Sequence, residues 1–194
     1  MRVAPNGLRR GLVYSLQVPP EPELEVRMSA ETILQFANRV SFRQAVWLFP
    51  MVFALHVMEE APRFTTWVNR YASKQFTQAN FIQNNALGMA LGIVFCILVW
   101  LSPSRAIVFL FFATCVTQAF FNIFFHVGTT VAFHAYSPGV ITSLILYPPL
   151  VFYLTRLAYQ EGLLTGRMGI LVFCLGGAVH AAVVAKQVFF VRLF

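Results

Sequence analysis

Charge is the scarcest feature of this sequence: 11% of its 194 residues are Asp, Glu, Lys or Arg, where soluble domains carry about 25%. With 58% of residues hydrophobic, that scarcity excludes an ordinary soluble domain and places the chain in a membrane. The 14 Lys and Arg against 7 Asp and Glu leave a formal charge of +7. These cations are scattered between apolar runs with no basic helix or stacking platform among them, so nucleic acid is excluded as a partner and lipid head groups explain them. Cysteine is limited to Cys96, Cys115 and Cys174, an odd number in three different apolar runs without CxxC spacing. That excludes a disulfide framework and a thiolate metal site, leaving small buried hydrophobes. HExxH, a paired ExxH and Ser, Cys or Lys nucleophile arrangements are also missing.

What is present reads as an all-α, polytopic membrane bundle of about five spans behind a disordered leader. Residues 1–27 are polar and proline-rich, and Arg9-Arg10 lacks the apolar core and cleavage site of an export signal. Met28 opens a better-behaved segment and is a candidate start residue; residues 28–194 form a single transmembrane domain. Ser29 to Arg43 reads as an interfacial amphipathic helix with Ile33, Leu34, Phe36 and Val40 as its apolar positions. Spans are expected over about 42–60, 84–101, 106–127, 140–158 and 169–191. Pro50 is positioned to kink the first, and Pro148-Pro149 to kink or break the fourth. Trp67 and Tyr71, in the polar stretch after Pro62, are expected as interfacial anchors. Gly88 and Gly92 form a GxxxG pattern, and Gly176, Gly177 and nearby alanines a small-residue band, both of which favour close helix packing.

Acidic residues press against an apolar run at one place, Phe53-Ala54-Leu55-His56-Val57-Met58-Glu59-Glu60. On a helix both carboxylates lie about one turn from His56, a spacing suited to metal ligation, proton transfer or an ion pair. Their adjacency predicts one raised pKa, an acid beside a base. Gln118, Asn122 and His126 recur every four residues and make one polar stripe on the third span, in which Gln118 either extends the network of the other two or bonds to a neighbouring helix. Five spans bring His56, Glu59, Glu60, Asn84, Asn85, Asn122, His126, His134, Tyr136 and Lys186 toward one side of the bilayer. Such convergence marks a site. His134 is expected to be solvated, His180 to make a structural hydrogen bond, and Lys186 to snorkel to the interface. Near span ends Arg27, Arg39, Arg43, Arg105, Arg156 and Arg167 stand against Arg63, Arg70, Lys74, Lys186 and Arg192. Six against five places the N-terminus in the cytoplasm of a cell-membrane protein.

The His56-Val-Met-Glu59-Glu60 element resembles the signature of the HXXEE-motif membrane protein family. Asn122-Ile-Phe-Phe-His126 is similar to that family's Asn-x-x-x-His element, and Tyr136-Ser-Pro138-Gly139-Val-Ile-Thr142 to its Tyr-x-Pro-Gly-x-x-Thr element. The similarity runs from about Trp47 to Thr142 and more loosely to the end, leaving the leader uncovered. It implies membrane placement of these elements and no family-wide reaction.

Chemistry is therefore read from the groups. The first reading is an acid–base enzyme, an isomerase, cyclase or hydratase, acting on a lipophilic substrate without a cofactor. Its catalytic residues are His56, Glu59, Glu60, Asn122 and His126. The alternative is a metal-dependent hydrolase or oxidase holding Zn or Fe through His56, Glu59, Glu60 and His126, with His134 as a further candidate. A third reading, from another class, is a non-enzymatic proton-coupled carrier or lipid-binding accessory subunit.

Overall fold

The computed structural model describes residues 40–72 and 75–188, with side chains through 185. The leader, Met28, most of the expected Ser29–Arg43 helix and the Lys74, Lys186 and Arg192 side chains lie outside the described residues.

All regular structure among the described residues is helical. In chain order the elements are α1 (Phe42–Ala45), α2 (Leu48–Glu60), α3 (Phe64–Tyr71), α4 (Gln78–Leu101) and α5 (Arg105–Phe111). A π-helical turn (Phe112–Val116) leads into α6 (Thr117–Phe133), followed by α7 (Val140–Ile145), α8 (Tyr147–Gln160) and α9 (Gly166–Val188). Four stretches are long and apolar enough to cross a membrane: Gln78–Leu101, Arg105–Phe133, Val140–Gln160 and Gly166–Ala185. Much of their surface is apolar and open, with Leu101 70%, Phe152 70% and Ile170 67% exposed, as lipid-facing positions are.

The run expected as one first span over 42–60 is divided at Val46 and Trp47 into α1 and α2. Pro50 is the cause, because it has no N–H to offer the Val46 carbonyl one turn back. That carbonyl instead accepts from the Phe49 N–H at 3.0 Å and the Cys96 thiol at 3.3 Å. The 13 residues of α2 reach about 20 Å at 1.5 Å per residue, well short of a hydrocarbon core of about 30 Å. His56, Glu59 and Glu60 therefore close a half-length helix held among full-length ones.

Packing around α2 follows from the glycines of α4. A Cβ at Gly92 would sit 2.6 Å from Phe49 Cε1, and one at Gly88 3.2 Å from Phe53 Cζ. The GxxxG face thus receives two stacked phenylalanine rings, 5.9 Å apart. Contacts of this kind hold membrane helices together by close packing, since lipid tails are as apolar as the side chains. Phe42, Val46, Phe49, Cys96, Phe111, Tyr147 and Leu154 continue this core. At its far end the Phe42 N–H donates to Glu161 Oε1 at 2.5 Å, and Arg105 Nε to the Gly162 carbonyl at 3.1 Å.

Two turns shape the remaining path. Pro148 and Pro149 fall in the first turn of α8, where missing N–H groups are tolerated, and the break lies at Leu146. The helix expected to end near Val127 continues through Gly128 to Phe133, and His134 closes it at φ 48°. Thr129 Oγ1 donates to the Phe125 carbonyl at 2.7 Å inside that extension. A second cluster, Phe64, Trp67, Val68, Phe76 and Phe81, packs beneath α3. Trp67 is 7% exposed, so it is a core residue of this cluster and not the expected interfacial anchor.

Candidate functional site

The C-terminal turn of α2, the middle of α6 and the turn into α7 meet at one point. His56, Glu60 and His126 are buried there, 1%, 6% and 0% exposed. One ligand atom from each lies within 4.8 Å of the other two. Glu60 Oε1 faces His126 Nε2 at 3.3 Å and His56 Nε2 at 3.5 Å. Neither contact is an aligned hydrogen bond: His56 Nε2 is met by the Asn122 carboxamide at 2.9 Å, and His126 Nε2 has no hydrogen-bond partner. A buried carboxylate without donors is expensive unless a cation faces it.

Both imidazoles are anchored by their other nitrogen. His56 Nδ1 lies 2.8 Å from Thr142 Oγ1. That hydroxyl gives its own proton to Glu59 Oε2 at 2.5 Å, so His56 Nδ1–H is the donor and Nε2 keeps its lone pair. His126 Nδ1 lies 3.0 Å from the buried Ser137 hydroxyl. The rings stand edge to face with centroids 5.0 Å apart. Gly139, at φ 101°, passes so close that a Cβ would fall 2.7 Å from Cε1 of each ring. Only glycine fits there, on both backbone and steric grounds.

Glu59 and Glu60 do not share a site. One residue advances the helix by 100°, which turns Glu59 from the imidazoles onto the start of α7. Its carboxylate accepts from the N–H groups of Gly139, Ile141 and Thr142 at 3.1, 3.1 and 2.7 Å, and from the Thr142 and Tyr136 hydroxyls at 2.5 Å each. Desolvation pushes its pKa up, but the Thr142 hydroxyl, the Tyr136 hydroxyl and the backbone N–H groups outweigh it and hold the pKa near about 2. The raised pKa expected of an adjacent carboxylate pair is therefore absent at Glu59. Burial and the bond to Glu59 push Tyr136 up to about 12, so its hydroxyl stays a donor.

The polar stripe on α6 divides. Asn122 and His126 face the cluster, while Gln118 turns to α9, donating to the Gly176 carbonyl at 3.1 Å and meeting His180 Nδ1 at 3.1 Å. His180 thus makes its expected structural hydrogen bond. His134 is exposed at the end of α6 and is not among the residues grouped with the triad. Asn84 is exposed, and Asn85 bonds back to the Phe81 carbonyl of its own helix at 3.0 Å; neither joins the cluster. Thr142 and Ser137, which orient the imidazoles, were not singled out for that role by sequence; hydroxyl residues beside Gly139 in the third motif element were the available signal.

The molecule is thus an all-helical membrane protein with two imidazoles and one carboxylate buried at the end of a half-length helix. Residues 47–154, more than half of the chain, match the family model described as "Protein of unknown function with HXXEE motif", and the chain belongs to that family. No curated protein and no solved structure matches it.

Proposed function

We propose that this chain is a membrane enzyme acting on a lipophilic substrate, with a divalent metal ion, zinc or iron, held by His56, Glu60 and His126. The observation that carries the reading is the facing arrangement of His56 Nε2, His126 Nε2 and Glu60 Oε1 around a buried point. Ligand atoms about 2.0–2.1 Å from a tetrahedral ion lie about 3.4 Å from one another. The separations of 3.3 and 3.5 Å from Glu60 Oε1 fit that geometry. Anchoring of both Nδ1 atoms supports it too, because metal-binding histidines characteristically donate their second N–H to an oxygen that fixes the ring.

Two imidazoles and one carboxylate leave coordination positions open, and an ion there supplies Lewis-acid chemistry as zinc or oxygen-dependent chemistry as iron. Around it the protein's own groups divide the work. Thr142 and Ser137 orient the rings, Gly139 allows the backbone past them, and Glu59 holds the turn that carries all three. The six-against-five balance of flanking Lys and Arg supports a cytoplasmic N-terminus in this reading, with the triad toward the opposite leaflet.

The Asn122–His56 bond favours a second reading, cofactor-free acid–base chemistry in which Glu60 and His126 exchange a proton. Metal analysis of protein purified without chelators separates the two. About one zinc or iron per chain, lost in His126→Ala, is the expected result. Metal-free protein that still turns over substrate would overturn the metal reading in favour of the second.

A further inference from the structure

An open pocket of about 450 Å³ is lined in part by Tyr136 and Pro138, in the turn that leads to Gly139. Its lining is largely apolar but carries two arginines, Arg63 and Arg70, together with Thr66 and Tyr71, and no carboxylate. Neither guanidinium has an ion-pair partner among the described residues, and Arg70 stacks over the Tyr71 ring at 5.3 Å. The nearest carboxylate, Glu59, already receives five hydrogen bonds, including that of Tyr136. What the pocket lacks is an acceptor with negative charge.

From these cations we infer that the pocket binds the anionic head group of a single-chain amphiphile, with Arg63 and Arg70 as its charge partners. Planar guanidinium groups suit the paired oxygens of a phosphate or carboxylate. Beside the pocket, Phe133 stacks on the lining residue Tyr71 at 4.8 Å and is 38% exposed, an open apolar ring. That surface takes the alkyl chain. Pro138 lines the pocket, and the next residue, Gly139, touches both imidazoles. Binding alone is independent of the metal. That the ligand is the substrate of the triad rests on the metal-enzyme reading.

The test is equilibrium binding of dodecyl phosphate to the full chain in neutral detergent with EDTA present, so that loss of an ion cannot be mistaken for failure of the pocket. Wild type is expected to bind dodecyl phosphate at least about tenfold more tightly than dodecanol or inorganic phosphate. Arg63→Ala combined with Arg70→Ala should lose about tenfold or more, and Arg167→Ala, an exposed cation elsewhere, nothing. Equal binding of dodecanol, equal binding of inorganic phosphate, or unchanged binding in the double Arg variant would each overturn the inference.

Discussion

Glu59 and Glu60 are neighbours in sequence, yet they occupy opposite kinds of environment. Glu59 is half-buried, and five donors satisfy its carboxylate at the head of α7. Glu60 is nearly fully buried, and the groups facing it are two imidazole nitrogens at 3.3 and 3.5 Å. A carboxylate with five donors is a structural fastening, complete as it stands. One facing unaligned ring nitrogens is incomplete, and the proposed metal ion would complete it. The Thr142 hydroxyl joins the two regions, accepting from His56 and donating to Glu59. The fastening therefore sets the direction of the site.

The sharpest way to break the comparison is to remove a triad member. Glu60→Gln keeps the shape of the side chain but removes the charge, and metal content measured on the purified variant should fall to background. Gly139→Ala comes next, because it forces a side chain against both rings and strains a backbone at φ 101°; a stability loss of about 2 kcal/mol or more is expected in thermal or denaturant unfolding. Thr142→Val leaves the ligands in place but unties His56. Metal affinity should drop about 10–100-fold in competition with a chelator, with full occupancy restored by excess ion.

Glu59→Gln probes the fastening through pH. The Glu59 pKa is held near about 2, below its ordinary 4.5, so the folded state favours the ionised form. Its contribution to stability is complete above pH 4.5 and fades as pH falls toward 2. Wild type should therefore lose stability across that window more steeply than Glu59→Gln, as followed by acid unfolding in detergent. The smallest effect belongs to His134→Asn at the exposed end of α6. Asparagine tolerates the same left-handed backbone, and both metal content and stability should stay unchanged, the latter within about 0.5 kcal/mol.

Much of this architecture is legible in the residues. Hydrophobic runs reveal the long helices, and Pro50 and Pro148-Pro149 mark breaks that appear at Val46–Trp47 and Leu146. His56, Glu60, Asn122 and His126 are readable as converging groups because α2 and α6 end toward the same side. The separation of Glu59 from Glu60 is less legible, since it depends on backbone N–H groups some 80 residues away that no spacing rule points to. For Gln118 the structure takes the second of the two expected readings, a bond to a neighbouring helix. Its four-residue spacing fits the stripe, but it begins just after the π-helical turn and faces α9, whose Gly176 carbonyl accepts its proton. Trp67 misleads because aromatic residues in a polar stretch suit an interface and a small core equally well, and contact with Phe64, Phe125 and Phe133 decides for the core.

The two adjacent glutamates do different work in this reading, and metal stoichiometry in a matched pair of variants separates them. Glu59→Gln and Glu60→Gln differ by one position and carry the same chemical change. Purified side by side with wild type, Glu59→Gln should retain about one ion per chain and Glu60→Gln none. Metal retained in Glu60→Gln, or lost from both variants alike, would contradict the account.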